Sequence, residues 1–73
     1  MIKKVAYTGE YKFGELIRMQ RLEKGLSIRK LAELTGLSSG AISRWESGKR
    51  IPSIESFNKV MAALGAELYV MGK

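Results

Sequence analysis

Apolar residues recur at the spacing of an α-helix in four successive segments of the chain. Residues three or four apart share one face of a helix, so the pattern predicts four short helices around one core. The positions expected to face that core are Phe13, Leu16, Ile17, Gln20 and Leu22; then Ile28, Leu31, Ala32 and Thr35; then Ala41, Ile42 and Trp45; and last Ile54, Phe57, Val60, Met61 and Leu64.

Serine and glycine mark the ends of these segments. A serine stands directly before each of the last three, where its side-chain oxygen can accept a hydrogen bond from the first helical turn: Ser27, Ser38 and Ser53. A glycine follows each of the four: Gly25, Gly36, Gly48 and Gly65. The left-handed backbone that glycine adopts without strain is expected at Gly25 and Gly48.

The two ends of the chain have a different pattern. Residues 1–11 alternate weakly and are interpreted as an arm or a short strand, whereas residues 12–65 form the helical domain. In residues 66–73, Ala66, Leu68 and Val70 share one face at the two-residue period of a strand. A single strand is not stable alone, so its partner is either residues 2–7 or the same strand of a second copy.

Composition argues against an enzyme. The 73 residues include no cysteine and no histidine, and all seven acidic residues are glutamate. Acid–base catalysis near neutral pH, metal-assisted hydrolysis and phosphoryl transfer usually depend on the missing residue types. We therefore expect a non-enzymatic protein that uses no cofactor and no metal.

The charge favours a polyanionic partner. Thirteen lysines and arginines against seven glutamates give a net charge of +6, although a generally basic surface is the alternative interpretation. No apolar run approaches the roughly 18 residues of a membrane-spanning helix. The two lysines near the start are not followed by the apolar stretch of a secretory signal. The sequence predicts a cytoplasmic protein with no membrane partner.

Residues 27–50 carry most of the functional information. They predict two short helices joined by a tight turn at Gly36. The second of these helices is apolar on its inner face, and its outer face presents small residues and one arginine: Ser39, Gly40, Ser43 and Arg44. A helix with such an outer face suits the major groove of duplex DNA.

The same region resembles a known family. The motif residues are Leu31-Ala32-Glu33, Thr35-Gly36-Leu37-Ser38, Ile42-Ser43-Arg44-Trp45-Glu46, Gly48-Lys49-Arg50 and Pro52. They are similar to the XRE helix-turn-helix family of phage-repressor and Cro-type regulators, over about residues 13–65. The resemblance implies an all-α, lambda-repressor-like bundle of four or five helices with a short C-terminal β-strand. It also implies a homodimer on DNA, with the helix at about residues 38–47 in the major groove.

The chain is also similar to HipB-type and HigA-type antitoxins, in which a strand after the last helix takes part in dimerisation. This similarity implies dimer contacts at Leu68, Tyr69 and Val70. Three functions stay open. The first is a homodimeric transcriptional regulator that binds double-stranded DNA at a palindromic operator. The second is an antitoxin that neutralises a protein toxin and autoregulates its operon. The third is a dimerisation module that keeps the fold without binding DNA, which the exposed cations of the region argue against.

The outer face of the third helix is predicted to read bases. An arginine at position 44 can donate two hydrogen bonds to guanine, and a phosphate contact or a solvated side chain is the alternative. Ser39 and Ser43 can bind a base edge or a phosphate. Gly40 either permits close approach to the groove or only weakens the helix. Trp45 shares the inner face with apolar residues, so core packing is favoured over stacking on bases.

Four residues are assigned to the DNA backbone. Ser38 can bind a phosphate in addition to capping its helix. Lys49 and Arg50 follow a glycine in a basic loop, which favours phosphate contact over an idle charged turn. The resemblance adds Arg29, in the first turn of the second helix.

The resemblance further implies a partly buried ion pair between Arg21 and Glu46. This pair would hold the first helix to the third. The alternative is two unrelated surface charges.

Overall fold

Four α-helices and two short strands make up the described structure. The computed structural model describes residues 3–7 and 12–70, with side chains for residues 12–66. In chain order the elements are β1 (Lys3–Tyr7), α1 (Phe13–Glu23), α2 (Ile28–Thr35), α3 (Ser39–Glu46), α4 (Ile54–Ala63) and β2 (Ala66–Val70). The four helices confirm the segments predicted from the apolar pattern.

The predicted serine caps are present at three helix starts. The hydroxyl oxygens of Ser27, Ser38 and Ser53 accept hydrogen bonds of 3.0, 3.0 and 3.1 Å from backbone N–H groups of the following turn. Each cap satisfies one of the donors that a helix start leaves without an intrahelical partner. Gly25 and Gly48 have φ angles of 70° and 82°, which confirms the left-handed backbone expected there.

One hydrophobic core lies between the helices. Its least exposed side chains come from all four helices and from the residue after α4: Ile17, Leu31, Ile42, Val60 and Leu64. Because every helix contributes, the position of each helix depends on the others.

Two positions predicted to face this core are wrong. The exposed fractions of Leu22 and Ile54 are 56% and 71%. Leu22 follows the buried Arg21, and one residue turns a helical position by about 100°, so Leu22 is carried away from the core. Ile54 is the first residue of α4, and the chain instead buries Pro52 just before that helix.

Gly14 allows α1 to approach the end of α3 very closely. A Cβ atom built on Gly14 would lie 1.7 Å from the carbonyl oxygen of Trp45, which is far inside van der Waals contact. The neighbouring Phe13 stacks on Phe57 of α4, with ring centroids 4.6 Å apart. The first turn of α1 is therefore packed against both α3 and α4.

β1 and β2 form a parallel pair at the edge of the helical bundle. The register pairs Lys3 with Ala66 and Tyr7 with Val70. The partner of β2 in the structure is thus the N-terminal segment of the same chain, the first of the two arrangements that the sequence allowed. The side chains of Leu68, Tyr69 and Val70, which were assigned to dimer contacts, lie outside the described residues, as do residues 1–2, 8–11 and 71–73 of the two end segments.

We predict that Gly14→Ala lowers the free energy of unfolding by about 2 kcal/mol, because the added methyl group must displace backbone at Trp45. Gly40→Ala is the matched control, since Gly40 is also the second residue of its helix and its Cβ would meet only the Arg44 guanidinium, at 3.8 Å. The control should be neutral or stabilising by up to about 1 kcal/mol. Urea unfolding followed by circular dichroism measures the free energy of unfolding of both variants. Equal values for Gly14→Ala and Gly40→Ala would refute the close contact.

Candidate nucleic-acid interface

The outer face of α3, which consists of Ser39, Gly40, Ser43 and Arg44, is open to solvent. All four residues are exposed. On the opposite face Ile42 is fully buried, and Trp45 is half-buried and packed on the core. The helix therefore presents small groups and one cation outward while its apolar side is held by the bundle.

The backbone of α3 is bare at Gly40. Apart from the guanidinium of Arg44, no heavy atom beyond the helix itself lies within 4 Å of where a Cβ would stand. Nη1 of Arg44 lies 3.8 Å from that point, so the arginine side chain extends back along α3 toward its N-terminus. A planar donor group thus lies beside exposed backbone and two hydroxyl-bearing residues.

The loop after α3 is attached to the same arginine. The carbonyl oxygen of Arg44 accepts hydrogen bonds from the backbone N–H groups of Lys49 (2.9 Å) and Arg50 (3.2 Å). The hydroxyl of Ser47 donates to that oxygen as well, at 3.2 Å. The positive φ of Gly48 makes this tight reversal possible. As a result, the two loop cations are held at a set position relative to α3.

Exposed cations flank the outer face of α3. Arg29 is the second residue of α2, and Lys49 and Arg50 follow α3. None of these three forms an ion pair within residues 12–66. Nζ of the nearby Lys30 lies 3.8 Å from Oε1 of Glu33. This ion pair is exposed, so it contributes little to the stability of the fold. The positive charge around α3 is therefore mostly free to meet an anionic partner.

Arg18 is a further exposed cation beside the outer face of α3, and the sequence predicted no role for it. It is exposed on α1 and lines a shallow cavity of about 250 Å³ together with Ile28, Ser43 and Ser47. The cavity thus joins α1, the start of α2 and the outer side of α3. The sequence carried no signal for this role, because an arginine in a helical pattern does not show which neighbouring helices it will lie beside.

Arg21 and Glu46 form the ion pair that the resemblance implied. Nε and Nη2 of Arg21 donate to the two carboxylate oxygens of Glu46, each at 2.8 Å, and Nη1 donates to the carbonyl oxygen of Leu26 at 2.7 Å. Only 10% and 6% of the two side chains is exposed. The hydrogen bonds to Glu46 raise the pKa of Arg21 above its ordinary value, with a further contribution from the carboxylate charge, while burial opposes the rise.

The ion pair between Arg21 and Glu46 connects the elements that carry the exposed cations. Arg21 lies on α1, Glu46 is the last residue of α3, and Leu26 lies in the turn before α2. One guanidinium therefore connects all three elements that carry the exposed cations. Of the predicted site residues, the structure brings Ser38, Ser39, Gly40, Ser43, Arg44, Lys49 and Arg50 together along α3 and its loop.

Comparisons with known proteins agree with this geometry. A sequence model described as helix-turn-helix matches residues 17–70. The HTH-type transcriptional repressor RghR of Bacillus subtilis (strain 168) is 42% identical over 53 residues, and the HTH-type transcriptional regulator SlrR of the same organism is 41% identical over 56 residues.

These matches cover 71% and 75% of this chain but only 39% and 37% of the two relatives. The chain therefore spans less than half the length of the regulators that it matches. No solved structure matches it significantly. Across the described part of the chain, no helix combines the length and apolar character that crossing a bilayer requires.

We predict that Arg21→Ala lowers the free energy of unfolding by about 3–5 kcal/mol, because it leaves the Glu46 carboxylate buried without its cation. Arg18→Ala, three residues earlier and exposed, should change it by less than about 0.5 kcal/mol. The double variant Arg21→Met/Glu46→Leu should recover much of the loss, since it removes both charges. Denaturant unfolding measures all three, and similar midpoints for the two alanine variants would contradict the assignment.

Proposed function

Because the chain belongs to the XRE-type helix-turn-helix family of DNA-binding regulators, we propose that it recognises a specific palindromic operator as a homodimer and regulates transcription there. The observation that carries this proposal is the open outer face of α3, flanked by cations without ion pairs. An α-helix fits the major groove of B-form DNA, and small outward residues let its backbone approach the bases.

Arg44 is the proposed base-reading residue. Its guanidinium is exposed in the last turn of α3, and its two parallel N–H groups match O6 and N7 of guanine. Ser39 and Ser43 flank it with hydroxyl groups that can meet either a base edge or a phosphate. Gly40 adds no side chain between them, which permits the backbone of α3 to come close to the groove wall.

Phosphate contacts are proposed on both sides of α3. Arg29 and the capped start of α3 at Ser38 would contact one stretch of DNA backbone, while Lys49 and Arg50 in the loop would contact another. Arg18 is added to the first group because its cavity reaches the start of α2. Contacts of this kind set affinity and register, whereas base contacts set sequence preference.

The homodimer is proposed to form through β2. In the parallel pair, β1 contributes Lys3 and Lys4 to five residues, and lysines on an edge strand oppose further pairing. β2 has the sequence Ala-Glu-Leu-Tyr-Val, with a single charge, so its free edge is the less protected one. Antiparallel pairing of two β2 strands about a two-fold axis would give a four-stranded sheet and place Leu68, Tyr69 and Val70 at the interface.

The names of the relatives favour regulation over the antitoxin alternative. RghR is a repressor by name, and SlrR is a regulator of transcription by name. We therefore propose repression, in which the bound dimer covers a promoter. A DNA partner also agrees with the cytoplasmic location that the sequence predicts.

Selection of binding sites from random duplex DNA tests the proposal. We expect the chain to recover a palindrome whose half-sites are about 34 Å apart, the spacing of successive major grooves. Arg44→Ala should lose preference at one base pair of each half-site, by about 1–3 kcal/mol or about 5- to 150-fold. Recovery of no preferred sequence, or of the same sequence with both proteins, would refute the proposed role of α3.

Salt dependence tests the phosphate contacts separately. With about four cationic contacts per protomer, from Arg18, Arg29, Lys49 and Arg50, the logarithm of the binding constant should fall with the logarithm of salt concentration at a slope of about −7 for the dimer. Arg18→Gln should reduce this slope to about −5, because each protomer then neutralises one phosphate fewer. Lys59→Gln, which removes an exposed cation of α4, is the matched control and should leave the slope unchanged. Equal slopes for the Arg18 variant and the unaltered chain would remove Arg18 from the interface.

A further inference from the structure

A separate cavity lies where the start of α1 meets the loop between α3 and α4. Its volume is about 340 Å³, and most of its wall is apolar. The apolar side chains are Phe13, Trp45, Ile51 and Pro52. This volume falls at the lower end of the range of about 300–1,000 Å³ that is typical of small-molecule sites. Two of its lining residues, Phe13 and Trp45, are aromatic, and aromatic side chains pack well against a flat ligand.

The walls of the cavity are already positioned. The ring of Phe13 is stacked on Phe57, and Pro52 is buried. Gly14 presses directly on the backbone of Trp45, so the two sides of the cavity cannot approach further. Ile51 completes the rim with an exposed fraction of 84%, a large apolar surface left in water. A ligand that covered Ile51 would gain from removing that surface from solvent.

The charged residues that line the cavity favour an anionic ligand. Lys12 and Arg50 are its two ionisable residues, both are exposed, and no carboxylate lines the cavity. Within residues 12–66, neither side chain takes part in an ion pair. The nearby Glu15 does not line the cavity, and its carboxylate accepts a hydrogen bond of 2.8 Å from the backbone N–H of Lys12. Two cations that form no ion pair within the described residues therefore line a mostly apolar cavity.

We propose that this cavity binds a small, planar aromatic carboxylate, with its ring against Phe13 and Trp45 and its carboxylate between Lys12 and Arg50. A second copy of this chain is a poorer occupant, because a partner with a net charge of +6 would bring more positive charge to two unpaired cations. A neutral apolar ligand would leave both cations unused.

Binding at this cavity changes the affinity for DNA. This step rests on the proposed function, in which Arg50 contacts a phosphate. A carboxylate held by Arg50 competes with that phosphate, so the ligand weakens DNA binding, and DNA weakens ligand binding by the same factor. The cavity thereby gives the regulator a site for an effector that releases it from its operator.

The first experiment uses 2-naphthoate as the probe and nuclear magnetic resonance as the readout. Trp45 is the single tryptophan of the chain, so its indole N–H gives one assigned signal in the cavity wall. We expect 2-naphthoate to shift this signal and the amide signals of Gly14 and Gly48 saturably. The neutral analogue 2-naphthalenemethanol should bind more weakly. Lys12→Gln and Arg50→Gln should each weaken 2-naphthoate binding about threefold, and together about tenfold.

Lys59→Gln is the matched control and should bind the probe as the unaltered chain does. Absence of saturable shifts at Trp45 would overturn the proposed site. Equal binding of the carboxylate and the alcohol, or unchanged binding in the double variant, would overturn its preference for an anion.

The second experiment measures DNA affinity with and without 2-naphthoate. We expect saturating probe to weaken binding of the unaltered chain several-fold and to have less effect on Arg50→Gln. If the chain binds the probe and binds DNA but neither affects the other, the coupling is wrong while the proposed function stands. If the chain binds no DNA at all, the proposed function fails, and the probe titration still decides whether the cavity is a ligand site.

Discussion

The arrangement of the helices depends on a buried charge pair. Arg21 on α1 binds both carboxylate oxygens of Glu46 on α3 and also the carbonyl oxygen of Leu26 before α2. Removing two charges from water costs free energy that their attraction only partly returns, so such a pair is a poor source of net stability. Its geometry is specific, because a planar guanidinium can donate two parallel hydrogen bonds to a carboxylate in only a few relative orientations. The pair therefore acts chiefly on the angle and register of α1 against α3.

That register decides what the outer face of α3 can present. With Ile42 in the core and Glu46 bound to α1, the helix cannot rotate, and Arg44 is left pointing outward. The contact of Gly14 with Trp45 sets the remaining distance between the two helices. Since the carbonyl oxygen of Arg44 also holds the loop that carries Lys49 and Arg50, the residue proposed to read bases and the two residues proposed to bind phosphate are held together as one unit.

Much of this architecture could be predicted from the sequence, because it is encoded locally. Serine caps, left-handed glycines and helical periodicity each involve residues within a few positions of one another, and these predictions were confirmed. The predictions for Leu22 and Ile54 were wrong because both residues lie near helix ends. The apolar periodicity extends to these positions, but the hydrophobic core does not reach them. Gly14 and Arg18 were missed for another reason. Their roles depend on which helices cross, and an isolated glycine or arginine in a helical pattern carries no mark of the element packed against it.

The small side chains on the outer face of α3 have a consequence for the entropy of association. Ordering a long, flexible side chain at an interface costs up to about 2 kcal/mol, whereas glycine loses none and serine little. Among the four residues of that face, only Arg44 has many rotamers to lose, and its guanidinium already lies back along the helix beside Gly40. Within this face, most of the motional freedom that contact with a duplex would remove is thus concentrated in one side chain, the same one that is proposed to distinguish one base pair from another.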